Sequence, residues 1–336
     1  MHVARSQAAP HYTERAPVVI GLVNTMPAAA LRATEMQFAT LLREAVASLP
    51  FTFEVQLRCF APRPVGDRRY RSMDHLWRTD LDGLIVTGSP PEADAIADEP
   101  VLPLIRKLAN WAAGHRTAAI WSCLAAHAVT YHLDGLQRRR LPAKLSGVYA
   151  CEDATDTAAS GPAMRFPVPH SRFNDLDAEA LVRAGYRILS RGPGMAAAAA
   201  QIAGSPADII VDGVDCFERS VDGGRFLMLQ GHPEYGATTL MREYRRDVRQ
   251  ALMDQAAAWP AIPLGVFDPA TRAALTELQA RASSLDPADA MAALELALHV
   301  PSEAPWKPAG IALFAQWLAG LRREQVQLPV AQRLSS

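Results

Sequence analysis

Several features that would narrow the field are missing from this 336-residue chain. No two of its four cysteines, Cys59, Cys123, Cys151 and Cys216, form a C-x-x-C pair. That spacing speaks against a zinc knuckle, a thioredoxin-type site and a disulfide framework, and fits free thiols in a reducing compartment. No uninterrupted apolar run reaches membrane-spanning length. The Ala-rich stretch at 195–204 is short and reads as buried or loop-edge structure. The opening MHVARSQAAPHYTERAP holds no apolar stretch of secretory-leader length, so the expected location is the cytoplasm. Excess charge is missing as well. The chain has 34 Lys and Arg against 35 Asp and Glu, a formal net charge of −1, with no electrostatic ground for nucleic acid or an anionic membrane as partner. The run Arg138-Arg139-Arg140 reads as a solvated loop, with a contact to a phosphate-bearing ligand as the lesser alternative.

What is present is the composition of a globular protein, 49% hydrophobic and 21% charged. Val18 to Val23 is a continuous apolar run closed by Asn-Thr-Met-Pro, the pattern of a buried strand. A helix is expected over 30–47, a half-exposed strand over 51–60, and a buried strand over 84–87 that stops at the turn Gly88-Ser89-Pro90-Pro91. A helix over 101–113 should close at Gly114 as its cap. A core strand over 117–122 leads into a helix over 124–133 that ends at Asp134-Gly135. This alternation predicts βαβ units and a mainly parallel sheet. The second half is less regular. Strands are expected at 186–189, 209–211 and 226–229, a charged helix over 237–258, two helices within 259–305, and a last helix over 311–323. No internal repeat is visible.

Two places carry chemistry. The strand ending at Ser122 runs directly into Cys123, and a helix starts behind it. That is the layout of a nucleophile elbow, with a helix N-terminus favouring the thiolate and the Leu124 N–H placed to stabilise an oxyanion. The flanking glycines usual in such elbows are absent, and a buried structural cysteine serves the local sequence equally well. The second place is Gln230-Gly231-His232-Pro233-Glu234, where another apolar strand stops at a glycine turn. His232 can act as general base and Glu234 can orient its ring. With both strands ending on one sheet edge, a Cys123–His232–Glu234 triad is the favoured reading.

The chain resembles the homoserine O-acyltransferases, relatives of the class I glutamine amidotransferases. The resemblance rests on Asn24-Thr25-Met26-Pro27, Thr34-Glu35-Met36-Gln37-Phe38, the 82–90 segment DGLIVTGSP, Cys123-Leu124-Ala125-Ala126-His127-Ala128 and Lys144-Leu145-Ser146-Gly147-Val148-Tyr149. It continues through Pro169-His170-Ser171-Arg172-Phe173, Gly231-His232-Pro233-Glu234-Tyr235, Arg245-Arg246-Asp247 and the 306–318 segment. It implies a flavodoxin-like three-layer α/β/α fold of the class I amidotransferase type, with C-terminal helical additions. The organisation expected is a tail at 1–16, a catalytic domain at 17–250, a helical insertion at 251–305, a C-terminal helix at 306–325 packing on the catalytic domain, and a tail at 326–336. The resemblance implies ping-pong acyl transfer from acyl-CoA to homoserine through a Cys123 thioester, with Lys144, Ser171 and Arg246 contacting substrate. It also implies a homodimer. No bound cofactor or metal is expected, acyl-CoA being a co-substrate.

In that family a glutamate after the Thr-Gly-x-Pro turn goes with acetyl-CoA and a glycine with succinyl-CoA. Glu92 matches that position and favours acetyl, since a carboxylate repels the free carboxylate of a succinyl group. The sequence departs from the family at His127, where glutamine is usual, at Ser122, and in longer segments near 192–212 and 257–303. The second of these is expected to cap the site or enlarge a subunit contact. The competing readings are an acyltransferase acting on serine or another hydroxy amino acid, an amidotransferase-like hydrolase, and a non-catalytic binding protein.

Overall fold

The apolar runs of the first half are strands covered on both faces. The computed structural model describes residues 16–155, 163–203, 205, 207–254 and 259–327. The expected tails therefore fall almost wholly outside the described residues. The elements in the first half are β1 (Val18–Val23), α1 (Ala28–Ser48), β2 (Val55–Phe60), β3 (Tyr70–Arg71), α2 (Met73–Leu76), β4 (Gly83–Val86), α3 (Leu102–Gly114), β5 (Ala118–Ser122) and α4 (Leu124–Asp134). There follow β6 (Arg139–Asp153), β7 (Arg165–Asp175), α5 (Ala178–Arg183), β8 (Arg187–Gly192), α6 (Met195–Ile202), β9 (Gly213–Val221) and β10 (Gly224–Leu229). The chain continues with α7 (Thr239–Met253), α8 (Pro269–Arg281), α9 (Pro287–Ala297) and α10 (Lys307–Gln327). None of the helices among the described residues is long and apolar enough to cross a membrane.

The strands form one sheet in the order β3-β2-β1-β4-β5-β10-β9-β8-β6-β7. The first six run parallel, and β9, β8, β6 and β7 join antiparallel. Strand side chains alternate between faces, so each central strand feeds two cores. Ala119, Trp121, Phe226 and Met228 pack with Ile105 and Leu108 of α3 and Val129 of α4. Ile120, Leu227 and Leu229, from the same strands, pack with Phe38 and Leu42 of α1 and Phe314 and Trp317 of α10. This is the three-layer α/β arrangement expected, with helices on both faces of a mainly parallel sheet.

Three local expectations are corrected. The left-handed residue closing α3 is Arg116 (φ 55), not Gly114, which is the last helical residue. Arg116 N–H bonds the Ala113 carbonyl at 3.0 Å and Thr117 N–H that of Ala112 at 2.8 Å, a Schellman pattern that satisfies the last-turn carbonyls. Ile209–Val211 is not a strand. It forms a turn and irregular backbone before β9, with Ile209 57% exposed. Arg138 is not solvated either: its side chain is buried against Glu99. The segment at 259–305 contains α8 and α9, which share a small core with the outer face of α7 through Tyr244, Val248, Leu275, Leu278 and Leu294. Its start is stitched to β6. Val148 N–H donates to the Leu264 carbonyl at 2.8 Å, and Leu264 N–H to that of Ser146 at 3.0 Å. Between them sits Gly147 at φ 148, where a Cβ would lie 2.6 Å from the Leu264 backbone.

Candidate active site

The register of β5 and β10 brings the two chemical turns together. Ser122 pairs with Leu229 in parallel ladder, and each strand ends there. Cys123 follows at once, and its N–H donates to the Leu229 carbonyl at 2.7 Å. Cys123 holds φ 50, ψ −113, a conformation unfavourable for a residue with a side chain and found where an elbow lifts a nucleophile clear of its backbone. Gly88, at the end of β4, lies against it. A Cβ on Gly88 would stand 3.0 Å from the Cys123 Cβ and 3.1 Å from the Leu124 nitrogen. The missing side chain keeps space open beside the thiol and beside the first N–H of α4. Such an N–H has no intrahelical acceptor, and it is placed to receive an oxyanion.

His232 is fixed from three sides. Its N–H donates to the Pro169 carbonyl at 2.8 Å. Its Nδ1 meets Glu234 Oε1 at 2.9 Å. Its ring stacks on Tyr235 with centroids 4.3 Å apart. With Nδ1 committed to Glu234, the other ring nitrogen is free to meet the thiol. Burial alone would lower the His232 pKa. The Glu234 charge, with the neighbouring Cys123 thiol, overcomes it and holds the pKa well above the ordinary histidine range. A thiol, an imidazole and an orienting carboxylate in this order form a nucleophile with its base.

A cavity of about 420 Å³ opens over Cys123 and His232. One wall is the turn Gly88–Pro91 with Ala29, Ala30 and Ala33 of α1. The opposite wall is Lys144, Ser171 and Phe173 of the β6–β7 hairpin together with Thr239, Arg242, Glu243 and Arg246 of α7. These α7 positions recur at helical spacing on one face, while Tyr244 and Val248 on the other face α8 and α9.

Two carboxylates, Asp247 and Glu243, organise the polar groups on this wall. Asp247 takes Lys144 Nζ at 2.7 Å on one oxygen and Arg246 Nη2 at 2.7 Å on the other. Glu243 accepts from the Ser171 hydroxyl at 2.6 Å and from the Tyr235 hydroxyl at 2.7 Å. Arg242 makes no ion pair among the described residues.

Cys123, His232, Glu234, Lys144, Ser171 and Arg246 thus line one cavity, with Leu124 beside the thiol. Glu92 stands apart. Its side chain is exposed and lines no part of the cavity. The segment 259–305 lines no part of it either, and buttresses α7 from behind. His127 sits in the cavity floor, with Nε2 2.8 Å from Gln230 Oε1. Burial pushes its pKa down to about 3; the Gln230 hydrogen bond opposes this, and the Arg172 and Arg138 charges reinforce it.

Sequence reasoning missed Tyr235, Arg242 and Glu243. The polar face repeating through Thr239, Arg242, Glu243 and Arg246 is the signal that marks the last two. It also missed the Gly88–Pro91 wall, read only as a turn.

A buried set behind the His232 turn, Cys151, His170 and Asp215, has metal-ligand chemistry: Cys151 Sγ is 3.7 Å and Asp215 Oδ1 3.5 Å from His170 Nε2. Arg172 Nε donates to His170 Nδ1 at 3.3 Å, which leaves the ring proton on Nε2, where a metal would bind. The cluster is better suited to hydrogen bonding. Asp215 accepts from Ser190 Oγ at 2.7 Å and from the Gly231 N–H, holding the strand end that carries His232.

A family model described as Homoserine O-succinyltransferase matches residues 1–322. A protein of Rhodopseudomonas palustris named Homoserine O-succinyltransferase is 40% identical over 91% of this chain and 89% of its own length. One of the same name from Methylorubrum extorquens is 38% identical over 89% and 86%. Among solved structures, a glutamine amido transferase from Methylobacillus flagellatus aligns at 16% identity and a TM-score of 0.44, covering 86% of this chain and 98% of that one, a likeness too low to carry an argument.

Proposed function

The chain belongs to the homoserine O-succinyltransferase family, and on that premise we propose that it moves an acyl group from acyl-CoA to the hydroxyl of L-homoserine through a thioester on Cys123. It is an acyltransferase of methionine biosynthesis. The observation that carries the route is the Cys123 elbow meeting His232, itself paired with Glu234, on the floor of one cavity.

In the first half-reaction the Cys123 thiolate attacks the thioester carbonyl of acyl-CoA. The oxyanion forms beside the Leu124 N–H, and CoA leaves as a thiol with the proton held by His232. In the second half, homoserine's hydroxyl gives its proton to His232 as its oxygen attacks the Cys123 thioester, and the thiolate is expelled. Glu234 holds the ring through both transfers.

The α7 wall suits a zwitterionic acceptor. Glu243, already held by two hydroxyls, takes the ammonium, and Arg246 with Lys144 takes the carboxylate. Arg242, which makes no ion pair among the described residues, adds a cation for a second carboxylate. That cation, the outward Glu92 and the names of the relatives all favour succinyl-CoA over acetyl-CoA as donor. The same reading has the enzyme working in the cytoplasm without a bound cofactor.

A donor and acceptor panel tests this. Intact-mass measurement after mixing with succinyl-CoA alone should show a succinyl-sized increment, absent in Cys123→Ala, that homoserine discharges faster than serine. No increment with any short acyl-CoA would sink the acyltransferase route. A larger rate with acetyl-CoA would restore the donor that Glu92 suggested.

A further inference from the structure

The turn that walls the cavity is held in place by a pair of charges that themselves line no part of it. Arg138 Nη2 and Glu99 Oε1 meet at 2.7 Å, with side chains only 2% and 1% exposed. Glu99 Oε2 accepts from the Glu92 N–H at 3.1 Å, and Oε1 from the Ala93 N–H at 3.4 Å. Arg138 donates to the Ala93 carbonyl, and to that of Asp94 at 3.0 and 3.1 Å. One buried pair therefore grips two backbone donors, of Glu92 and Ala93, and two backbone acceptors, of Ala93 and Asp94. Immediately before them come Ser89, Pro90 and Pro91, which line the cavity. At its other end the same segment touches the nucleophile through Gly88. The segment is pinned at the thiol and at the pair, and what lies between is the wall.

Stability does not account for the pair. Removing two charges from water costs more than their attraction commonly returns, and an apolar pair of similar volume is often as stable. Arg138 Nη1 is also buried without a partner, a further cost. Apolar contacts are non-directional, whereas this pair fixes the N–H groups of Glu92 and Ala93 and the carbonyls of Ala93 and Asp94. It also turns the Glu92 side chain outward by capturing its N–H.

We propose that the Arg138–Glu99 pair is a positioning device that sets the space between the Pro90-Pro91 wall and Cys123, and so selects which acyl group the enzyme accepts. The proposal rests on the acyl-transfer reading above. It makes the donor preference a property of a buried ion pair, not of residue 92 alone.

The test uses the full chain and compares Glu99→Gln with the double variant Glu99→Leu/Arg138→Leu, which removes both charges and leaves none uncompensated. Thioester formation on Cys123 is followed with acetyl-CoA and with succinyl-CoA, and homoserine KM is measured in the second half-reaction. The expected result is a shift of about tenfold or more in the ratio of the two donor efficiencies, since small misplacements of a site wall have effects of this size. Homoserine KM should stay within about twofold of wild type. Arg138→Lys, which keeps the charge and loses the fork, should shift the ratio less. A merely structural pair would lower Tm and slow both donors by one factor, and an unchanged ratio overturns the proposal. If Glu99→Gln fails to fold, the double variant decides. A wild type that forms no thioester overturns the parent reading and this one with it. A wild type that acylates, with variants of unchanged donor ratio, overturns this one alone.

Discussion

The parallel and antiparallel halves of the sheet contribute different things to the same cavity. The parallel half presents Gly88, Cys123 and the His232 turn at strand ends locked in one ladder. The antiparallel hairpin, with α7 beside it, presents Lys144, Ser171, Glu243 and Arg246, groups whose charges match an amino acid. In the proposed reaction, bond-making chemistry and acceptor recognition sit on separate supports. The second support has its own anchor, because α8 and α9 pack behind α7 and Leu264 is stitched to β6.

The largest expected effect breaks the first half. Cys123→Ala should lower turnover by at least about 10⁴-fold and abolish the mass increment, because the thiol that forms the thioester is gone. Residual homoserine-dependent turnover above that level would mean direct transfer. Next, Glu234→Gln should slow thioester formation by about 10²-fold or more, since the imidazole loses the carboxylate that orients and charges it. Stopped-flow release of CoA reads this step alone.

The second half is broken by Arg246→Ala or Glu243→Gln. Each should raise homoserine KM by about 10- to 100-fold, the scale of a lost charge-assisted hydrogen bond, while acylation without homoserine changes little. If acylation falls as far as KM rises, the two supports are not separable. The anchor is tested by Gly147→Ala, which must place a Cβ against the Leu264 backbone at a φ that disfavours side chains. Urea unfolding should show a loss of about 2–4 kcal/mol.

The smallest effect concerns acid. Folding drives His127 down to about 3 and His170 well below its ordinary value, both chiefly by burial. The unfolded chain then binds more protons than the folded one below about pH 6.5, so stability falls as pH drops through that window. His232 has the opposite sign. Its raised pKa gives a contribution that is complete below about pH 6.5 and lost only as pH climbs through its folded value. His127→Gln should recover on the order of 3 kcal/mol of the deficit at pH 4 and almost nothing at pH 8. Equal pH profiles for variant and wild type would show that His127 does not carry the acid sensitivity.

The same division explains what could be read in advance. β1, β4, β5 and β10 are covered on both faces, so they appear as plain apolar runs ending in turns, and Cys123 and His232 stand at two of those turns. β6 and β7 lie at the sheet's far edge, with mixed exposure and with Pro142 and Gly147 inside β6, and neither periodicity marks them. Ile209-Ile210-Val211 has strand composition, but three apolar residues between Asp208 and Asp212 do not decide pairing. Arg138 looks solvated beside Arg139 and Arg140 because its partner Glu99 is 39 residues away in the chain. The orientation of Glu92 is likewise set by a hydrogen bond from its backbone, which side-chain chemistry does not reveal.

The pairing of Ser122 with Leu229 has a consequence for how the enzyme fails. Cys123 directly follows β5 and His232 lies just past the end of β10, so both are anchored to adjacent central strands whose hydrogen bonds are among the last to open. Their separation is kept by the ladder itself. Heat inactivation should therefore coincide with global melting, with no warmer range in which the fold survives but the chemistry has already gone.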